Sequence, residues 1–150
     1  MNYFQRLQKA IFLDVAFYEE VEKDKKFTDQ AMMTVALVSI VQGLMIAGFA
    51  PIALLQGILG SLIRFLIWAF FIAFVGTRIL PEPETESNTG ELIRTLGFAY
   101  APGLLVVLKI VPIISAFVDP VVTILQLAAM TIAVRPVSYT HLRAHETKAN

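Results

Sequence analysis

Four long runs of apolar residues, set apart by charges and helix breakers, organise the chain. Ala31 to Phe49 holds 19 residues without one Asp, Glu, Lys or Arg, enough at about 1.5 Å per residue to cross a hydrocarbon core of about 30 Å with slight thinning. A second run opens just after Pro51 and continues to Val75 with Arg64 as its single charge. Phe65 to Leu80 alone offers 16 residues and includes Arg78, so this span has to start near Leu54 and carry Arg64 inside it. Leu92 to Leu108 is the third run, ended by Lys109 and Pro112; a kink is expected at Pro102 and Gly103, which membrane helices tolerate where neighbours re-satisfy the freed carbonyls. Ile113 to Val134 is the fourth, with Asp119 and Pro120 in its first turns or in the connection before it. Val121 to Val134 alone is too short, which places the expected start near Pro112. The pattern predicts an all-α membrane protein, a bundle of about four transmembrane helices with spans near 31–49, 54–77, 92–109 and 112–134.

Ahead of these spans the apolar positions Phe4, Leu7, Ile11, Tyr18 and Val21 recur at helical spacing and lay a stripe along one face. Residues 1–30 therefore read as a cytoplasmic amphipathic segment, a helix lying in the headgroup layer or packed against the cytosolic ends of the bundle. Lys23 to Lys26 form a polar turn, Thr28 is the expected N-cap of the first span, and Asp29 suits its first turn. Between Arg78 and Arg94 lies the one substantial polar loop, rich in breakers and carrying Glu82, Glu84, Glu86 and Glu91. Lys and Arg gather before the first span, between the second and third, and after the fourth, whereas the opposite side has only Lys109. That bias places both ends of a four-span chain in the cytoplasm. In a prokaryotic cell the membrane would be the plasma membrane.

Composition agrees with the pattern. Apolar residues make up 57% and charged residues 16%, against about 45–50% and about 25% in water-soluble domains. Too little polar surface remains to coat a water-facing globule, so the lipid bilayer is the expected partner. Lys+Arg and Asp+Glu balance at 12 each, which gives nucleic acid no basic face to bind. The absence of cysteine excludes disulfides and thiol-ligated zinc. No cleavable signal peptide precedes the first span, which would act as an uncleaved anchor. Val137 to Thr147 (VSYTHLRAHET) leaves the apolar pattern and resembles a translated adapter sequence, so residues 136–150 are set aside as a non-native tail and 31–135 are taken as the membrane domain. His141 and His145 there have the i, i+4 spacing of zinc ligands beside Glu146. Two histidines without a third ligand are more often surface residues, and no metal or other cofactor is expected.

A charge at membrane depth costs a few kcal/mol on insertion scales, which singles out Arg64. It would contact an anion or lipid headgroup, or pair with Asp119 or with Gln42, Gln56 or Gln126. The blander alternative, and the favoured one, has Arg64 snorkelling to an interface because the span is displaced or broken at Gly57 and Gly60. Gly43 and Ala47, and likewise Ala53, Gly57 and Ser61, repeat every four residues and suit close helix packing inside the bundle or a homodimer. Ser39, Thr34, Ser61, Ser115 and Thr123 supply hydroxyls to the spans, with no histidine to activate them. The acids of the 78–94 loop are expected to solvate it; docking of a basic protein partner there, or of a partner on the N-terminal helix, is the lesser expectation. These features describe a non-enzymatic bundle that organises membrane or protein partners. The rival is a small transporter or channel subunit, with Arg64 and the Pro102 kink lining a polar path.

Taken together, LDVAFYEEVEKDKKFTDQA at 13–31, the Trp68 to Gly76 stretch running into GTRILPEPET at 76–85, GELIRTLGFAYAPGLL at 90–105 and AMTIAVRP at 129–136 resemble the Yip1 family in its short prokaryotic form. These segments cover the chain from near residue 10 to Arg135, and the one at 90–105 is the most specific. The resemblance implies a five-helix bundle with a cytosolic N-terminus, and eukaryotic relatives that engage Rab-type GTPases in vesicle traffic. In similar short proteins the Ala-Val-Arg stretch leads through a polar turn into a fifth span; here Pro136 onward differs, so the fifth helix is expected to be missing. The long N-terminal region of the eukaryotic members is also absent, and no GTPase-contact residue is carried over.

Overall fold

Asn2 opens the first helix with a reciprocal cap: its side chain accepts from the Gln5 amide, and Gln5 Oε1 accepts from the Asn2 amide, both at 2.9 Å. From there the computed structural model describes the backbone of residues 1–75 and 89–146, with the side chains of 1–72, 74–75 and 90–134. The described residues contain no strand. In order they form α1 (Tyr3–Ile11), α2 (Val15–Lys23), a 3-10 turn (Lys25–Phe27), α3 (Thr28–Ala47), α4 (Pro51–Phe74), α5 (Thr89–Ala99), a 3-10 stretch (Ala101–Ile110) and α6 (Ser115–Glu146). Among the described residues four stretches are long and apolar enough to cross a membrane: Lys25–Ala47, Pro51–Ile72, Gly90–Ile110 and Ser115–Val134. The chain is an all-α membrane bundle.

The N-terminal stripe is not one helix. Leu13 adopts a left-handed backbone with φ 61° and turns the chain between α1 and α2. Asp14 falls three residues after Ile11, where the stripe needs an apolar side chain, and instead caps α2 by accepting from the Phe17 amide at 3.2 Å. That bond, with Lys9 at 3.3 Å, holds its carboxyl below the usual range. Tyr18 donates to the Ala10 carbonyl at 3.1 Å and ties the two helices together; burial pushes its phenol pKa up.

The resulting cap packs on its own protein. Phe17 meets Phe98 edge-on at 5.1 Å, and Phe27 closes the cluster at 6.3 Å from Phe17 and 6.2 Å from Phe98, each such pair adding about 0.5–1.5 kcal/mol beyond area burial. Arg6 stacks over Phe27 at 4.7 Å and donates to Gln30. Phe4 and Phe12, by contrast, stay largely exposed.

Thr28 does not cap α3 from outside. It is the first helical residue, and its hydroxyl donates back to the Lys25 carbonyl at 2.8 Å. Asp29 lies in the first turn as expected. Gly48, at φ 67°, ends α3, and Pro51 begins α4 at a position where its missing N–H is no loss. α3 and α4 then run antiparallel along a seam of two glycines: a Cβ on Gly57 would stand 2.9 Å from Gly43 Cα, and one on Gly43 2.9 Å from the Ile58 amide nitrogen. Ala47 and Ala53 are half-buried beside this seam. Gly60 faces open space, and α4 passes both Gly57 and Gly60 unbroken, so a fracture there does not explain Arg64. α4 is also the least buried span.

α5 begins at Thr89, so Glu91 and Arg94 are helical and not part of a loop; residues 76–88, with Glu82, Glu84 and Glu86 and the far end of the expected second span, lie outside the described residues. Gly97 lets α5 touch α3, since a Cβ there would stand 2.9 Å from Ala31 Cβ. At Ala101–Pro102 the α-helix changes to 3-10 geometry, with Gly103 N–H bonded to the Tyr100 carbonyl three residues back at 3.0 Å. The expected break falls here, and its form is a change of helix type. At about 2.0 Å per residue against about 1.5 Å, the 3-10 half also lengthens the span. α6 starts at Ser115, three residues after Pro112, which stays in the turn before it; Asp119 and Pro120 are inside its opening turns. Its backbone remains helical beyond Val134 to Glu146, through the segment expected to leave the pattern.

Candidate functional site

Burying Gln42, Ser61 and Tyr100 inside an apolar bundle requires partners for their polar atoms. They supply one another. Gln42 Oε1 accepts from Ser61 Oγ at 2.7 Å, from Tyr100 Oη at 3.1 Å and from an Arg64 guanidinium nitrogen. Ser61 Oγ and Tyr100 Oη are 2.9 Å apart, and Tyr100 also reaches the Ser61 carbonyl at 3.2 Å. Two hydroxyl protons thus share several acceptors, and each is satisfied. Gln126 Nε2 donates to the Tyr100 carbonyl at 3.3 Å, near the carbonyls loosened by Pro102. Gly103 makes the convergence sterically feasible: a Cβ there would lie 2.6 Å from Val38 Cγ1 and 2.7 Å from the amide nitrogens of both Gln42 and Gln126.

Beside this network a cleft of about 290 Å³ opens between α4 and α6, lined by Gln42, Arg64, Tyr100, Lys109, Asp119 and Gln126 among apolar side chains. Lys109 Nζ lies 2.8 Å from Asp119 Oδ2. Arg64, largely exposed to the cleft, has no carboxylate within ion-pair distance among the described residues.

Of the polar residues expected to share a site, Arg64, Gln42, Gln126 and Asp119 do line one cleft. Gln56 is exposed and away from it, and Asp119 pairs with Lys109 and not with Arg64. Ser61, expected for packing alone, belongs to the hydrogen-bonded network. Thr34 and Thr123 donate to carbonyls one helical turn back.

Three contributors escape a reading of the sequence. Tyr100 is the hub; a phenol within an apolar run was a signal, since a buried tyrosine needs a polar partner. Lys109 reads as a span terminator, although its distance of ten residues from Asp119 across a tight turn allows the pair. Arg94 is 3% exposed and donates to the Val21 carbonyl at 3.3 Å and the Glu22 carbonyl at 2.7 Å. It thereby satisfies the end of α2, where a cation also suits the helix dipole.

These features define an integral membrane protein with a helical cap at one end and a cationic cleft toward the other. Comparison with protein-family models, curated proteins and solved structures gives no significant match, so the likeness to the Yip1 family rests on the residues quoted above alone.

Proposed function

We propose that the protein is a non-enzymatic membrane bundle of Yip1-like type that organises membrane or protein partners from its capped side, with the N-terminus in the cytoplasm. One observation carries this reading. The segments 13–31 and 90–105, both part of the resemblance, are packed on each other through Phe17 and Phe98, through Arg94 on the Val21 and Glu22 carbonyls, and through Gly97 on Ala31. A cap fastened in this way offers partners a fixed surface, with Phe12, Glu19 and Glu20 exposed on it. Lys23, Lys25 and Lys26 lie at the same end, which supports a cytoplasmic cap.

Proximity labelling in cells from a ligase fused to the N-terminus tests the reading. Phe12→Asp and Glu20→Lys should change the set of labelled neighbours, and Arg64→Leu should leave it as in the wild type. A neighbour set indifferent to both cap changes would overturn the proposal. Cysteines introduced as Ala50→Cys and Ser87→Cys should label from opposite sides, with position 87 cytosolic.

The cleft favours a second reading, a small transporter or channel subunit with Arg64 in a polar path. Arg64→Leu separates the two. An organiser tolerates the change or gains stability, whereas a conducting subunit in reconstituted vesicles loses flux or alters its selectivity.

A further inference from the structure

We infer that the cleft between α4 and α6 binds a phosphate-class anion, with Arg64 as its anchoring cation and Lys109 at its mouth. The first ground is charge. Among the described residues the cleft holds two cations, Arg64 and Lys109, against one carboxylate, Asp119. Lys109 and Asp119 neutralise each other at 2.8 Å, which among the described residues leaves the Arg64 charge matched only by the neutral oxygen of Gln42. A cation flanked by Trp68, Ile46 and Leu127 gains strongly from an anion brought in from outside.

Position is the second ground. Gln42, which receives Arg64, lies five residues before the end of α3 at Ala47, or about 8 Å along the axis. Arg64 itself stands thirteen residues, about 20 Å, into α4 from Pro51, and Lys109 lies one residue before the end of the 3-10 stretch at Ile110, so the cleft leads from a mouth at the uncapped end inward to a guanidinium at depth. Shape is the third. A guanidinium offers five donors in a planar fork suited to two oxygens of one phosphate, and Gln42 accepts from only one of its nitrogens. The bond also holds the side chain in place. At about 290 Å³ the space is at the lower end of small-molecule sites, the size of a headgroup and not of a whole lipid. This inference is independent of the organiser and transporter readings, since either protein could hold such a group.

Two sources carry this chemistry, a phospholipid headgroup and a soluble phosphate ester. The full chain is placed in nanodiscs of uncharged galactosyl diacylglycerol, with phosphatidylglycerol added in one arm and glycerol 3-phosphate in the other, at constant ionic strength. Thermal unfolding and native mass spectrometry of retained lipid are the readouts. Phosphatidylglycerol alone raising Tm and staying bound identifies a headgroup site, and glycerol 3-phosphate raising Tm identifies a soluble ligand; either supports the inference. Arg64→Gln should weaken binding on the order of tenfold or more, with Arg64→Lys between it and the wild type because charge survives without the fork. No shift of the wild-type chain in either arm overturns the inference, as does equal binding by Arg64→Gln.

Discussion

Arg94 and Arg64 each carry a guanidinium into the bundle, one beneath the cap and one beside the cleft toward the other end, and the chain treats them differently. Arg94 is enclosed and donates to two carbonyls at the end of α2, so its positive charge completes a helix that would otherwise end in unsatisfied oxygens. Arg64 is open to the cleft, and one amide oxygen accepts from it. A cation in an apolar bundle is thus no guide to function by itself. The distinction lies in whether backbone of the same chain consumes its donors or leaves them facing outward.

The largest expected effect comes from removing the enclosed one. Arg94→Met removes the guanidinium that donates to the Val21 and Glu22 carbonyls and should destabilise the protein by about 3 kcal/mol. Thermal unfolding in detergent measures the loss, and proteolysis should cut α1 and α2 first. Arg64→Leu should be neutral or stabilising in the same assay without ligand. Equal losses for both would erase the contrast between the two arginines. Next in size is Gly57→Leu, which forces α3 and α4 apart where a Cβ would already stand 2.9 Å from Gly43 Cα. Overpacking of this kind costs about 1–3 kcal/mol, and it should also separate Arg64 from Gln42. A crosslink between Ala47→Cys and Ala53→Cys, beside the seam, should form less readily in the Gly57→Leu background.

How much of this was open to a reader of the sequence follows from the range of the interactions. The spans were legible because a helix surrounded by lipid is apolar on all faces, which shows in a single window of sequence. Pro102 marked the break by lacking an N–H, and Gly43 and Gly57 marked the seam by lacking side chains. Asp14 interrupting the stripe was a local signal too, and it marks the turn that divides α1 from α2. Arg94 was different. It reads as a loop-edge charge of the positive-inside kind, and only its contact with α2, more than seventy residues earlier, makes it a cap. Tyr100 and Lys109 were hidden likewise, because the network needs to know which four helices meet. A list containing Gln42, Arg64, Asp119 and Gln126 came near the site without its hub.

That hub gives the third test. Tyr100→Phe keeps the ring against Phe65, 5.0 Å away, and removes the hydroxyl that touches Gln42 and Ser61. Those two still have each other at 2.7 Å. The cost should therefore be about 1 kcal/mol, in the range of interhelical hydrogen bonds in membranes, read as a shift in thermal unfolding. If Gln42 turns once the phenol is gone, phosphate binding by Arg64 should weaken as well, and a loss of binding greater than the loss of stability would show that the network aims the guanidinium.

The smallest effect belongs to the cap. The Phe17 amide, with Lys9 beside it, holds the Asp14 carboxyl below its ordinary value of 3.8. Because the folded value is the lower one, the stabilisation is fully present above the ordinary value and disappears as pH falls through the folded value. Protection of the α2 amides, taken as their hydrogen exchange relative to the intrinsic rate at each pH, should fall on acidification from about pH 5 to about pH 2. Asp14→Asn retains a capping oxygen but has no proton to take up, so its α2 protection should lack that added fall. The group is only half-buried and solvent screens it, so the shift should remain local to α2, while α5 next to it keeps its protection through the hydrogen bonds of Arg94. Acid that released α2 and α5 together would mean that Asp14, and not the buried arginine, holds the cap to the bundle.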